Sequence, residues 1–181
     1  RISRALGDKR PEVRFQAVMA FPRVCRDHES ALSALLSATR DSDEKVCHIA
    51  LRMLEELGAR EAQDEHHQGL DEQAIARAGE LLGHASPSVQ LAAAILLARA
   101  DISQDAEPSA KALEPGAFED VLLRAAQGAL KTEDGEDEAA AVELCGELKL
   151  RKAIPALERR AFGVALGLGR DRFAWNARVA L

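Results

Sequence analysis

One apolar spacing recurs along this 181-residue chain and restricts its possible folds more than any other feature. Counting from Val13 as position 0, apolar side chains stand at positions 0, 4, 7, 8 and 11, which together form one face of a helix. The same spacing starts again at Val46 and Val89, less completely at Asp137, and once more at Phe173. Successive starts are 33 to 48 residues apart, the range in which helix-pair repeats occur.

A second helical stretch precedes each of these starts, so the repeating unit is a pair of helices joined by a polar turn. The pattern predicts one domain over residues 1–181 with five units, at about 1–27, 28–60, 70–102, 116–149 and 150–181. Two polar segments, 58–71 and 101–116, contain Gly or Pro and predict long loops between units.

The apolar composition independently favours helices. The chain has 35 Ala and 24 Leu, whereas aromatic residues make up 3% and Tyr is absent. Alanine and leucine are the strongest apolar helix formers, and strands favour β-branched and aromatic residues. Helix starts are also marked, because Pro11 and Pro87 suit a first helical turn, and Asp43 and Ser86 are candidate N-caps. We therefore expect an all-α fold.

Three segments resemble HEAT repeats, particularly the short bacterial kind also seen in phycobilisome-lyase-like proteins. They are residues 8–14 with Ala17, residues 41–46 with Ala50 and Leu54, and residues 144–148 followed by 153–157. The resemblance implies a right-handed α-α superhelix, or solenoid, of about five helix pairs with truncated ends. Armadillo-type repeats are a close alternative. The position that holds Arg14 in the first unit departs from the pattern in the later units, at Cys47, Gln90, Glu138 and Ala174.

Net charge and cysteine spacing limit the classes of partner and the cellular compartment that we expect for the protein. A net charge of -6 and a pI near 5.4 give no field that attracts nucleic acid, and no apolar run approaches the length needed to span a bilayer. We expect neither nucleic acid nor membrane as a partner. Three cysteines without CxxC spacing fit reduced thiols, which predicts a cytoplasmic protein.

The candidate chemical motifs are incomplete, so we predict no catalytic residue, cofactor or metal site. HEAT-type metal hydroxylases bind metal through repeated His–Glu pairs, whereas this chain has one, His28-Glu29, besides a Glu65-His66-His67 run in a predicted loop. Adjacent helical residues such as Cys47 and His48 point about 100° apart and form no nucleophile–base pair. The glycines of residues 163–169 lack the Lys-Ser/Thr ending of a phosphate loop, and we interpret them as a turn.

Partner-binding residues are predicted at positions 2, 5 and 9 of the second helix of each unit, which line the concave groove in HEAT solenoids. The alternative is that these side chains are covered by neighbouring helices. With their flanking polar residues, the predicted partner-binding residues are Phe15, Val18, His48, Leu51, Arg52, Leu91, Trp175 and Arg178. We therefore expect a non-catalytic scaffold or adaptor that binds a protein or peptide through this groove, or that contacts further repeats or domains of the same chain. The competing hypothesis is a HEAT-type enzyme or enzyme subunit, bilin lyase-like or metal-dependent hydroxylase-like.

Overall fold

The computed structural model describes residues 2–61, 71–103, 116–132, 135–165 and 169–181. Within them the chain is almost wholly helical, which confirms the all-α prediction. Most of the two predicted loops lies outside the described residues. Their beginnings do not, and there the prediction is wrong, because good helix formers carry the fourth and sixth helices on to Glu61 and Ser103.

Ten helices are described, and they follow one another in five consecutive pairs. We call the earlier member of each pair the first helix and the later member the second helix. The pairs are α1 Ile2–Ala5 with α2 Pro11–Val24, α3 His28–Ala38 with α4 Glu44–Glu61, α5 Glu72–Leu81 with α6 Pro87–Ser103, α7 Ala117–Ala126 with α8 Gly135–Glu147, and α9 Ile154–Phe162 with α10 Ala174–Ala180.

A short antiparallel strand pair separates the last two helices. Strand β1, Val164–Ala165, pairs with β2, Gly169–Arg170. The interpretation of residues 163–169 as a turn between helices gains a detail that the sequence did not predict, because the residues flanking 166–168 pair as two short antiparallel strands. Residues 166–168 lie outside the described residues. A 3-10 turn at Arg151–Ala153 leads into α9.

The helix starts follow the chemistry that the sequence indicates. Pro11 and Pro87 are the first residues of α2 and α6, where a missing N–H leaves no internal bond unmade. Asp43 caps α4, because its Oδ1 accepts hydrogen bonds from the backbone N–H of Lys45 at 3.0 Å and of Val46 at 3.2 Å.

The five second helices pack in a row, α2 on α4, α4 on α6, α6 on α8 and α8 on α10, while each also packs on the first helix of its own pair. Helix α6 lies in the middle and takes part in two cores. Val89, Ala93 and Leu96 belong to the core shared with α4 and α5, whereas Leu91 and Ile95 belong to the core shared with α7 and α8.

We call the face formed by positions 0, 4, 7, 8 and 11 of each second helix the apolar stripe. It is well buried in α4, α6 and α8. In α2 the stripe is less covered, because α1 is a single turn: Val13, Ala20 and Phe21 are half-buried and Val24 is exposed. Position 4 holds alanine in every second helix, and all five are buried: Ala17, Ala50, Ala93, Ala141 and Ala177.

An arginine of the first pair, Arg14, joins it to the second pair. Arg14 donates from Nε to Asp41 Oδ2 at 2.6 Å and from Nη2 to Asp41 Oδ1 at 2.7 Å. Its Nη1 also donates to the carbonyl oxygen of Asp8 at 2.9 Å. This bidentate pair fixes the turn before α4 against α2.

Two further arginines join consecutive first helices in a way that the sequence analysis did not anticipate. Arg77 on α5 donates from Nη2 to the Thr39 carbonyl oxygen at the end of α3, at 3.0 Å. Arg160 on α9 donates from Nε to the Ala126 carbonyl oxygen at the end of α7, at 2.6 Å. Both satisfy carbonyl groups that have no partner within their own helix.

Replacing Asp41 with asparagine tests the Arg14–Asp41 pair. The hydrogen bonds from Arg14 hold the pKa of the Asp41 carboxyl below its ordinary 3.8, so the pair stabilises the fold above that pH and its contribution fades as the pH falls below it. We expect Asp41→Asn to lower the free energy of unfolding by about 1 kcal/mol at pH 7. Urea denaturation at pH 7 and below pH 3.8 should show this difference shrinking in acid, whereas an equal deficit at both would contradict it. Asp101→Asn, at an exposed acid, is the control.

Candidate functional site

A cleft of about 600 Å³ opens where the N-terminal ends of α4 and α6 lie side by side. Phe15 from α2 forms one wall, and Lys131 and Thr132, which follow α7, form another. The lining combines apolar and charged side chains, and consists of Phe15, Glu44, Lys45, His48, Ser86, Pro87, Ser88, Lys131 and Thr132. A smaller depression of about 340 Å³ adjoins it and shares Phe15 and Lys45.

His48 joins the cleft to a buried carboxylate. Its Nε2 lies 2.6 Å from Asp137 Oδ2, and the Asp137 side chain is 0% exposed. Arg52, one turn further along α4, places its Nε 3.3 Å from the other carboxylate oxygen, Oδ1. Two side chains of α4 thus hold one acid of α8.

The contact extends along α4 as a chain of charges. Arg52 also pairs with Glu55, and Arg99 on α6 places its Nε 2.5 Å from Glu55 Oε1. We call these five residues, His48, Arg52, Glu55, Arg99 and Asp137, the polar seam. Opposite charges alternate along it, so each buried oxygen faces a cation or a ring nitrogen.

Local structure explains how Asp137 tolerates burial. It lies in the first turn of α8, where the free backbone N–H groups and the helix dipole favour a carboxylate. Burial of an ionised group is costly unless it is paired, and Arg52 and His48 supply the pairing.

The seam connects helix pairs that are not consecutive. His48 belongs to the second pair and Asp137 to the fourth, 89 residues later, and α6 of the third pair lies between them. Residues 91–98 of α6 are all buried, and four of these eight residues are alanine. Because α6 is this narrow, α4 and α8 come within side-chain reach of each other.

The structure separates the predicted partner-binding residues into three groups. Phe15 and His48 line the cleft, and Arg52 lies behind it in the polar seam. The side chains of Val18, Leu51 and Leu91 are buried in the cores, so in this structure neighbouring helices occupy the space where a partner was expected.

The remaining two predicted residues, Trp175 and Arg178, lie on α10, on a different surface from the cleft. Trp175 is 74% exposed. Arg178 donates from Nε to the Ala161 carbonyl oxygen at 3.2 Å, and its guanidinium lies 5.6 Å from the ring centroid of Phe162.

The cysteines on α4 and α8 are core residues. Burial raises the pKa of the Cys47 thiol to about 11 and that of Cys145 to about 12, so both stay protonated and unreactive at neutral pH. The Cys47 Sγ donates to the Thr39 carbonyl oxygen at 3.1 Å, whereas His48 faces Asp137.

Among the described residues, no group of three or more His, Cys, Asp or Glu side chains is placed to hold a metal ion. Glu65, His66 and His67 lie outside these residues. None of the helices in the described part of the chain combines the length and the apolar character needed to cross a membrane.

No protein-family model matches the chain, and neither a curated protein nor a solved structure matches it. What the protein does is therefore inferred from its own residues.

Asp137 is the site residue that the sequence analysis missed. The signal was present, because Asp137 is the one charged residue among the five starts of the repeated apolar spacing. A charged residue in the apolar stripe predicts either that this part of the helix is exposed or that a group of opposite charge is buried beside it. In the structure the groups beside Asp137 are His48 and Arg52.

Proposed function

We propose that the protein is a HEAT-like helical-repeat scaffold that binds a segment of another protein at the cleft beside Phe15. In this proposal the five pairs form a right-handed solenoid, and no catalytic step is involved. The row of second helices supports the solenoid, because stacking of similar pairs on their neighbours is how such arrays bury their apolar faces.

The main support for a binding site is that the cleft is lined by both apolar and charged side chains. Phe15 and Pro87 offer apolar surface. The charged lining residues are Lys45, Lys131 and Glu44, so positive charge is in excess there although the protein's net charge is -6. The N-terminal ends of α4 and α6 add to this local positive potential. A peptide with an apolar side chain next to an acidic one matches that lining.

The polar seam gives the cleft a fixed shape. His48 is both a lining residue and a member of the seam, so its ring is held by Asp137 rather than free to rotate. A preorganised wall reduces the entropy lost when a peptide binds. Val18, Leu51 and Leu91 support the site from the cores, and they contribute through packing.

A pair of charge reversals tests the cleft. Lys45→Glu with Lys131→Glu changes two exposed lysines and leaves both cores intact. Affinity capture from an extract of the source organism should recover a protein with the wild type that this variant loses, with binding weaker by about tenfold or more. The matched control is Lys9→Glu with Lys152→Glu, which makes the same charge change at exposed lysines elsewhere.

The Lys45/Lys131 variant could instead capture the same protein with equal affinity while its circular dichroism spectrum is unchanged. That result would show that the cleft is not the binding site. Metal analysis and an absorption spectrum of the purified protein separate the scaffold from the enzyme alternative. A stoichiometric metal or chromophore would favour the enzyme.

A further inference from the structure

The smaller depression continues the cleft toward the start of α2. Its lining consists of Pro11, Glu12, Phe15, Gln16, Asp43 and Lys45. Glu12, Phe15 and Gln16 share one face of α2, because they are three and four residues apart on the helix. Phe15 and Lys45 line both cavities, so the cleft and the depression form one continuous surface, which we call the binding groove.

The two parts of the binding groove carry opposite excesses of charge. The charged residues of the cleft are Lys45, Lys131 and Glu44, so positive charge is in excess there. Those of the depression are Glu12, Asp43 and Lys45, so negative charge is in excess. Lys131 lines only the positive part and Glu12 lines only the negative part. A ligand that spans both parts therefore meets charge of each sign.

Two arginines near the acids of the depression are held by other carboxylates. Arg10 donates from Nε to Asp8 Oδ1 at 3.0 Å. Arg14 donates to both carboxylate oxygens of Asp41, at 2.6 and 2.7 Å. Neither arginine lines the depression. Because these pairs balance their own charges, the lining acids keep the depression negative.

Apolar surface lies where the two parts of the groove meet. Phe15 is half-buried and lines both parts. Pro11 adds apolar surface on the side of the depression, and Pro87 adds it on the side of the cleft. An apolar side chain packed on Phe15 would thus have one chain neighbour directed toward the negative part and the other toward the positive part.

We infer that the segment bound in the groove has a basic side chain on one side of an apolar residue and an acidic side chain on the other. The inference rests on the proposed function and adds the basic side chain to it. This side chain contacts Glu12 and Asp43, the apolar one packs on Phe15, and the acidic one contacts Lys131. A segment with acids on both sides places like charges together at Glu12 and is rejected.

Selection from a library of random dodecapeptides displayed on phage, with the 181-residue chain as bait, tests this pattern. The pattern is read from peptides that bind the wild type and are lost by the Lys45/Lys131 variant. We expect these peptides to carry Lys or Arg on one side of an apolar residue and Asp or Glu on the other. Acids on both sides would overturn the inference and leave the proposed function intact. If the Lys45/Lys131 variant captures the same peptides as the wild type, the proposed function itself fails.

Glu12→Lys tests the depression alone. Fluorescence polarisation of a labelled, selected peptide should show binding weakened by about fivefold or more. Replacing the basic residue of that peptide with glutamate should restore binding to the variant. The matched control is Glu119→Lys, at another exposed acid in the first turn of a helix, α7, and it should bind the peptide as the wild type does.

Gln16→Lys repeats the test without removing an acid from the start of α2. Gln16 is exposed and lines the depression, so its replacement adds positive charge there while Glu12 continues to favour the helix start. We expect the same weakening of binding. Equal affinity of the wild type and both lysine variants for the peptide would reject the basic subsite, even where the Lys45/Lys131 variant loses binding.

Discussion

Replacing Asp137 with alanine is expected to lower the free energy of unfolding by about 3 kcal/mol. The substitution removes the acid that pairs with both His48 and Arg52. His48 then loses this carboxylate partner, and Arg52 keeps its pair with Glu55 but loses the one with Asp137. The expected cost is at the lower end of the range for a broken buried pair, because Arg52 and His48 retain some access to water. Chemical denaturation at pH 7 measures it directly.

Asp120→Ala is the matched control for this prediction. Asp120 also lies in the first turn of its helix, α7, but its side chain is exposed, so the substitution should cost about 0.5 kcal/mol. A double-mutant cycle of Asp137→Ala with His48→Ala should give a coupling energy of about 1 kcal/mol or more. Equal losses for Asp137→Ala and Asp120→Ala would show that the polar seam stabilises nothing.

The second large effect is expected from adding one methyl group at Gly146. In the middle of an exposed helix, glycine to alanine stabilises by about 1 kcal/mol. Here the new Cβ would lie 2.5 Å from both the Cα and the carbonyl oxygen of Ala180, which are backbone atoms and cannot rotate away. Helix α10 must shift off α8, and we expect a net loss of about 2 kcal/mol in the free energy of unfolding.

Gly83→Ala provides the comparison, because a Cβ atom at Gly83 meets nothing within 4 Å. That change should alter the free energy of unfolding by about 0.5 kcal/mol or less. Urea denaturation of the two variants separates the close helix contact from the general effect of replacing glycine. A stable Gly146→Ala variant would mean that α8 and α10 are packed more loosely than the structure shows.

The repeated spacing was enough to predict the helices and their starts, because both depend on residues a few positions apart. Pro11, Pro87 and Asp43 act within a single turn, where local chemistry decides. The apolar stripe could also be predicted, because it too depends on residues a few positions apart. Helix periodicity fixes which side chains share a face, and in α4 and α6 that face is buried.

Periodicity does not say which neighbour covers a face, and this is where the site prediction separates from the structure. Leu51 and Leu91 are themselves predicted partner-binding residues, and in the structure both are buried in the cores between helices. The pairing of His48 with Asp137 depends on how closely α4 and α8 approach across α6, a distance set by packing over 89 residues of chain. In the sequence, the one sign of this contact was the charge of Asp137 at the fourth start of the repeated spacing.

The middle of α6, residues 91–98, is buried on every side, and this restricts how the protein can vary. Residues 91–98 have no side chain in water, so a polar substitution at any of them would place an unpaired group in one of the two cores. Its neighbours α4 and α8 each retain exposed or half-exposed positions where substitutions are tolerated. Sequence drift should therefore concentrate in the outer pairs, and the LAAAILLA segment should be the part of the chain that changes least among its relatives.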